Sequence, residues 1–349
     1  MKASRDILIS QITDFIHRNP LCTSRDVHAD SGVAISYATV KRVLQQLVSD
    51  NRVEAVGKGK GTKYRLPAYF EIISDVDVDT YFEKEIDERV IKSSFDFTLI
   101  KTNLAEVSLF TNEEHNYLSG LQQQFLDNVS KLSASEYKKE MERLAIDLSW
   151  KSSQIEGNTY SLLETEQLLK EKVTASGKTK DEAVMLLNHK AALDFIVSQP
   201  DYINPLTVSV IENIHSILVQ ELNVDRNIRR RSVGISGTNY KPLDNEFQIR
   251  EALQDMCVLV NQKQDVFSKA LLVLVLVSYI QPFADGNTRT ARIISNAILM
   301  HRNHCPLSFR TVDPIDYKKA MLIFYEQNNI SAVKKIFIDQ FEFAVKTYF

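Results

Sequence analysis

From Val266 to Ile280 the chain offers water no face: every side of a helix drawn through this stretch is apolar, and Lys269 is its only charge. A helix of that kind belongs at the centre of a bundle. Its uncharged stretch, Ala270 to Ala284, is shorter than the roughly 20 residues a membrane span needs. Glycine (10) and proline (8) are scarce for 349 residues, against usual shares of about 7% and 5%. So few turn formers favour long helices over a many-turned β sandwich, collagen or low-complexity disorder. At roughly 150 residues per domain, the length predicts two or three domains.

The chain changes character near residue 67. Residues 1–67 hold eleven Lys and Arg against six Asp and Glu, a net +5, whereas the whole chain is −3 and the other 282 residues therefore carry −8. Ile7, Leu8, Ile12, Phe15 and Ile16 keep helical spacing up to Asn19-Pro20. A short helix through His28 follows, then a third capped by Ser36 with Val40, Val43, Leu44 and Leu47 as its buried stripe. Two β-rich runs around Gly57-Lys58-Gly59-Lys60-Gly61 predict a hairpin. Three helices and a basic hairpin resemble a winged helix-turn-helix domain. On that reading Tyr37, Lys41 and Arg42 face the major groove of DNA, and Lys58, Lys60 and Lys63 contact phosphates. Docking to another protein, or to the partner domain of this chain, is the alternative use of the same fold. The acidic stretch 68–100 is expected to be a solvated connector, because it lacks the sharp-turn glycine of a Ca²⁺ loop.

From residue 101 onward the expectation is a helical domain. Ser133-x-x-Glu136 is a capping box opening a long helix, and Asn204-Pro205 reads as another helix start. Two places depart from a plain bundle. In Gln281-Pro282-Phe283-Ala284-Asp285-Gly286-Asn287, Pro282 and Gly286 stop one helix and Asn287 is expected to cap the next. Free N–H groups at such a helix start suit an anion. Arg289 and Arg292, three apart in the first turns, oppose the macrodipole, so a bound polyanion is the missing partner. Asp285 just ahead can hold a divalent metal beside phosphates. The second place is the helix opened at Ser133. Its apolar face, Met141, Leu144 and Leu148, continues by steps of four to Ser152 and Glu156. A carboxylate on a buried face demands a cationic partner, and Arg289 and Arg292 are candidates.

These residues resemble the Fic family. Its signature, His-x-Phe-x-(Asp/Glu)-Gly-Asn-Gly-Arg-x-x-Arg, stands here as Gln281 to Arg292. Ser152 to Gly157 is similar to the (Ser/Thr)-x-x-x-Glu-(Gly/Asn) inhibitory motif of the subclass whose inhibitory helix precedes the core. Val233 to Pro242 looks like the family's β-hairpin flap. The resemblance implies a mainly α fold: a Fic-type bundle over 101–349 with an inhibitory helix near 134–157, a flap near 232–242 and the signature loop 281–292. It implies transfer of AMP from ATP to a Ser, Thr or Tyr hydroxyl on a protein. Asp285 would hold Mg²⁺, and Asn287, Thr288, Arg289 and Arg292 would bind the phosphates. Ile235, Gly237 and Tyr240 would face an extended stretch of target added as a strand. Glu156, with Ser152, would hold Arg292 away from the γ-phosphate.

Two departures bear on activity. The family's catalytic His is Gln281 here, and an amide can orient a hydroxyl but not take its proton. The second Gly is Thr288, a β-branched residue where the loop favours glycine. Both predict weak or absent transfer. The alternative is a catalytically inactive domain that senses a nucleotide or partner and acts through the DNA-binding segment. Cys22, Cys257 and Cys305 lack disulfide or metal spacing and read as reduced thiols of a cytoplasmic protein. A homodimer is the commonest assembly for such a chain.

Overall fold

Every residue except Met1, Val33, Ala34 and Ala68 is described in the computed structural model, and for residues 2–6 and Lys60 only the backbone is described. The chain divides into two compact units, residues 1–74 with 106–113, and residues 75–105 with 114–349.

In the smaller unit, helix α1 (Lys2–Arg18) leads through β1 (Cys22–Thr23) into α2 (Ser24–Asp30) and α3 (Tyr37–Ser49). Ser36 caps α3 by accepting from the Thr39 N–H, the predicted start. β2 (Glu54–Val56) and β3 (Lys63–Arg65) form the expected antiparallel hairpin, and β1 joins on the other side of β3 to give the order β1-β3-β2. Ile12, Ile16, Val27, Val40, Leu44 and Leu47 make the core beneath them.

The larger unit contains ten helices of at least ten residues: α4 (Asn112–Val129, entering from the smaller unit), α5 (Ala134–Ile155), α6 (Leu162–Glu171), α7 (Lys180–Ser198), α8 (Val208–Leu218), α9 (Glu246–Gln262), α10 (Val266–Ile280), α11 (Asn287–His301), α12 (Pro314–Gln327) and α13 (Ser331–Tyr348). Every residue of α10 from Ala270 to Ile280 is buried. The all-round apolar sequence is thus the hub of the bundle, and α11 packs along it. The Ser133–Glu136 capping box opens α5 as predicted.

Three expectations change. Asn204-Pro205 is a cis peptide ahead of α8, whose cap is Thr207; its side chain accepts from the Val210 N–H. Residues 75–105 belong to the larger unit rather than forming a free connector, with Leu99, Ile100 and Leu104 buried. The segment 232–242 contains no paired strands of its own. Its one backbone bridge is parallel, between Lys241 and Ser94. Gly234, Gly237 and Pro242 weaken strand pairing there, and Tyr240 is drawn inward to stack on Tyr279 and Tyr325.

Candidate active site and its closed roof

The loop between α10 and α11 is stitched to itself. Gln281 ends α10 in the left-handed region, φ 50°, and Gly286 supplies the second positive φ, 80°, just before α11. A side chain at position 286 would have to share the left-handed geometry that glycine adopts freely. Asn287 is the first helical residue rather than the cap. Its Oδ1 accepts from the Phe283 N–H at 2.8 Å, and its Nδ2 donates to Phe283 O at 2.9 Å and Gln281 Oε1 at 2.8 Å. The Asn287 side chain is therefore used within the loop. What the turn offers a ligand is the backbone: the first N–H groups of α11 have no intrahelical acceptor.

Two side chains outside the signature hold this loop in place. His215 on α8 stacks on Phe283 with centroids 3.6 Å apart, and its Nε2 lies 3.0 Å from Asp285 O. Burial, ahead of every other influence, takes its pKa down to about 4, so the ring is neutral near pH 7. Arg229 donates through Nε to Gln281 O at 2.6 Å, through Nη1 to Arg231 O at 2.7 Å and through Nη2 to Leu243 O. The sequence reading missed both. His215 falls four residues after Ile211 on the buried stripe of α8, a signal that was available. Nothing distinguished Arg229 from Arg230 and Arg231.

The arginines lie under the loop. Arg289 is 1% exposed, and its Nη2 stands 3.4 Å from Asp285 Oδ2, while Nε and Nη1 have no partner. Burial pulls its pKa below the usual arginine value, with Asp285 and Glu156 offsetting part of that. A buried guanidinium so thinly paired is suited to a further anion. Arg292 is fully buried. Its Nε donates to Ser152 Oγ at 2.9 Å, and its Nη2 to Ser152 O at 3.0 Å and Glu156 Oε1 at 2.8 Å. Its guanidinium lies over the Tyr317 ring, 5.2 Å from the centroid. Of the two arginines the sequence offered Glu156, Arg292 is the one it meets, and Ser152 adds two further hydrogen bonds to the same guanidinium.

Glu156 is the C-cap of α5, with 28% of its side chain exposed. The oxygen that meets Arg292 also accepts from the Thr288 hydroxyl. Burial pushes the carboxyl up, but the Arg292 charge, the hydrogen bonds from Thr288 and Arg292 and the nearby Arg289 outweigh it and hold the pKa below normal. Thr288 lies in the helical first turn of α11, so its β-branch meets no positive φ; the left-handed position is Gly286, where glycine carries no Cβ penalty. His189 on α7 is wholly buried beside both arginines. Burial and those charges drive its pKa well down, and its Nε2 is unpartnered.

A cleft of about 460 Å³ opens above the loop, lined among others by Glu156, Ile235, Gln281, Asp285, Thr288 and Tyr325. That falls within the usual small-ligand range of about 300–1,000 Å³. Gln281 faces it with both amide atoms already engaged, Oε1 by Asn287 and Nε2 by Ser278 O at 2.7 Å. Asp285 is the most open carboxylate here, 61% exposed. Among the described residues no group of three His, Cys, Asp or Glu could hold a metal by itself. A Mg²⁺ with a single carboxylate and substrate phosphates needs no such group. Ile235 reaches the cleft, whereas Tyr240 does not. It is 2% exposed and donates its hydroxyl to Tyr279 O at 3.0 Å, so it anchors its segment instead of presenting it. Gly237 packs on α12, where an added Cβ would sit 3.4 Å from Leu322. His301 and His304 are packing residues, close to Pro200 O and against Phe267 respectively.

The site is therefore a helix start with free N–H groups, two buried arginines beneath it and the Glu156 carboxylate bridging Thr288 and Arg292, an arrangement whose chemistry suits an anion. Residues 205–299 match the family model described as "Fic/DOC family". Two proteins named protein adenylyltransferase Fic are similar. One, from Aedes aegypti, is 29% identical over 162 residues, covering 44% of this chain and 32% of that protein. The other, from Nematostella vectensis, is 31% identical over 173 residues, covering 48% and 40%. The chain thus spans well under half the length of these relatives. Among solved structures, Fic-1 from C. elegans superposes with a TM-score of 0.59 at 20% identity over 68% of this chain and 72% of that one. A Fic domain containing signaling protein from Bacteroides thetaiotaomicron gives 0.56 at 20% identity, over 66% and 96%. Residues 205–299 thus match the Fic/DOC family model, the fold is shared with solved Fic structures, and the chain is similar, at low identity, to protein adenylyltransferases.

Proposed function

We propose that this domain binds ATP with Mg²⁺ in a state held closed by Glu156, and that transfer of AMP to a protein hydroxyl is slow or lost because Gln281 stands at the base position. One observation carries the reading: Glu156 crosses the cradle to Arg292 at 2.8 Å while Arg289 beneath it keeps two unpartnered nitrogens. Asp285 would hold the metal, and Arg289 with the first N–H groups of α11 would take the phosphates. Removal of Glu156 frees Arg292 for the outermost phosphate. Transfer joins the acceptor oxygen to the α-phosphorus, releases pyrophosphate and requires an acceptor for the hydroxyl proton. Gln281 accepts hydrogen bonds but no proton, a loss that typically costs about 10²–10⁴ in rate. The acceptor is a Ser, Thr or Tyr of a protein whose backbone lies along residues 235–241.

Calorimetry of ATP·Mg²⁺ with the wild type and Glu156→Gly tests the binding half. Heat that appears or strengthens in the variant supports the reading, and none in either chain removes it. Label transfer from α-labelled ATP is expected to be strongest when Gln281→His is added to Glu156→Gly.

A second reading is favoured by the smaller unit. Lys41 and Arg42 are exposed on α3, and Lys58 and Lys63 are exposed on the hairpin; the Lys60 side chain lies outside the described residues. Tyr37 is half-buried, sharing a 2.9 Å hydrogen bond with Ser24 Oγ under the Lys41 ammonium. These exposed cations support a reading in which the smaller unit meets duplex DNA, which would make the larger unit a nucleotide-responsive regulator of a DNA-bound protein.

A further inference from the structure

The stretch 75–105, though rich in carboxylates, is tied down against residues 237–241, which directly follow the cleft-lining residues 233–236. Asn239 Nδ2 donates to Asp87 Oδ1 at 3.0 Å, Arg89 Nη2 to Gly237 O at 2.9 Å, and the Lys241 N–H to Ser93 O at 3.0 Å, beside the parallel Ser94–Lys241 bridge. Arg89 is the pin. Only 5% exposed, it lies 3.2 Å from the fully buried Glu326 of α12 and 5.0 Å from the Phe82 ring centroid. Tyr81 donates to the other Glu326 oxygen at 2.5 Å, and the Lys92 N–H to Glu326 O at 2.8 Å. Residues 87–94 are thus fastened on one side to α12 and on the other to 237–241. Backbone pairing with the 237–241 side is made at Lys241, through Ser93 O and the Ser94 bridge.

We propose that residues 87–94 are an intramolecular occupant of this edge, so that an acceptor polypeptide reaches the cleft only after they release it. This rests on the reading that a target's backbone lies along residues 235–241. It places a second closure on the acceptor side, separate from Glu156 on the nucleotide side. The contacts suit release. Asp87, Asn239 and Gly237 lie at the surface, and a single bridge is a small part of a sheet's pairing. The exchange is isosteric in hydrogen bonding, since an incoming strand would restore what Ser93 gives up at the Lys241 N–H. The same stretch follows residue 74 directly in sequence, so an event in the smaller unit has a covalent route to it.

Hydrogen exchange on the full chain decides the matter without any activity. Asp87→Ala with Arg89→Gln is expected to speed exchange across 235–242 by about ten-fold while α10 and α11 keep their protection, as a local opening requires. Because Arg89 is buried beside Glu326, Asn239→Ala is the milder companion and should act in the same direction. Unchanged exchange at Lys241 in both variants overturns the proposal. A reversible lock then tests the consequence. Ser94→Cys with Lys241→Cys, in a chain also carrying Glu156→Gly and Gln281→His, is given α-labelled ATP·Mg²⁺ and a Ser/Thr/Tyr peptide library. Labelling about ten-fold slower when oxidised than when reduced, with equal ATP binding, supports the proposal. Equal labelling in the two states overturns it. A chain whose edge opens in hydrogen exchange but labels nothing in either state supports the occupant and counts against the transferase reading alone.

Discussion

A hydroxyl at position 288 changes what holds Glu156. With glycine there, the arm would rest on Arg292 alone; here one carboxylate oxygen meets both Thr288 and Arg292. Thr288→Val keeps the shape and removes the donor. A hydrogen bond to a charged group at a partly exposed site is worth about 1 kcal/mol, so ATP·Mg²⁺ should bind the variant about five-fold more tightly by calorimetry. Thr288→Ser should leave affinity as it is. The pH dependence has a definite sign. The folded Glu156 pKa is depressed, so its stabilising contribution is present above the unfolded value of about 4.3 and disappears as pH falls through the folded value. The arm should stay closed through mild acid and open only below the ordinary carboxylate range. Carboxyl NMR of the labelled residue reads this directly, and a midpoint at or above the ordinary value would contradict it. A Glu156–arginine pair is legible in the four-residue step from Leu148 through Ser152, which leaves Arg289 and Arg292 both open. Only the family resemblance names Arg292, and Glu156 itself ends at the surface and not on a buried face. The role of Thr288 was not legible, since a side-chain hydrogen bond between residues 132 positions apart leaves no local trace.

Helix starts were the most readable elements, because capping chemistry is local: Ser36 and Ser133 cap α3 and α5 as their sequences dictate. The segment 232–242 was the least readable. Its backbone partner lies nearly 150 residues away at Ser94, and no periodicity within the segment announces that. Two elements outside the signature fix the loop, and each predicts a measurement. Arg229→Ala takes this donor from three carbonyls, of which Leu243 O is buried, and a buried acceptor left unpaired costs about 1–3 kcal/mol. A lowered Tm and faster exchange at 281–284 are expected, with the α10 centre still protected. His215 titrates at about 4 when folded against about 6.5 when unfolded. A lowered histidine pKa means the unfolded chain binds the extra proton first. Stability therefore drains as pH falls from about 6.5 toward 4, by about 3 kcal/mol in all. His215→Gln should be less stable at pH 7 yet lose less on acidification to pH 4.5, which thermal unfolding at the two pH values measures. An equal loss in both chains would remove His215 from the account.

Across the molecule, charge is divided as sharply as structure. Residues 1–67 carry +5 and the rest −8, though the chain totals only −3, so the mean charge hides a surface that can attract a polyanion. The sequence made the bundle legible because an all-apolar α10 admits one environment. It made the smaller unit legible because turns and stripes alternate there at short range. It did not reveal that residues 75–105 fold onto the larger unit, since acidic composition describes solvation and not long-range contacts such as Arg89 with Glu326. The charge division yields a test of the second functional reading. If Lys41, Arg42, Lys58 and Lys63 each neutralise a phosphate, the logarithm of duplex affinity should fall against log salt with a slope of about −3 to −4. Reversing two of them, Lys41→Glu with Arg42→Glu, should weaken binding uniformly across sequences and flatten that slope by about 2. Fluorescence anisotropy on the full chain from low to physiological salt supplies both numbers. Affinity indifferent to salt, or to the double reversal, would assign this basic surface to a protein partner instead, because a neutral contact releases no condensed counterions.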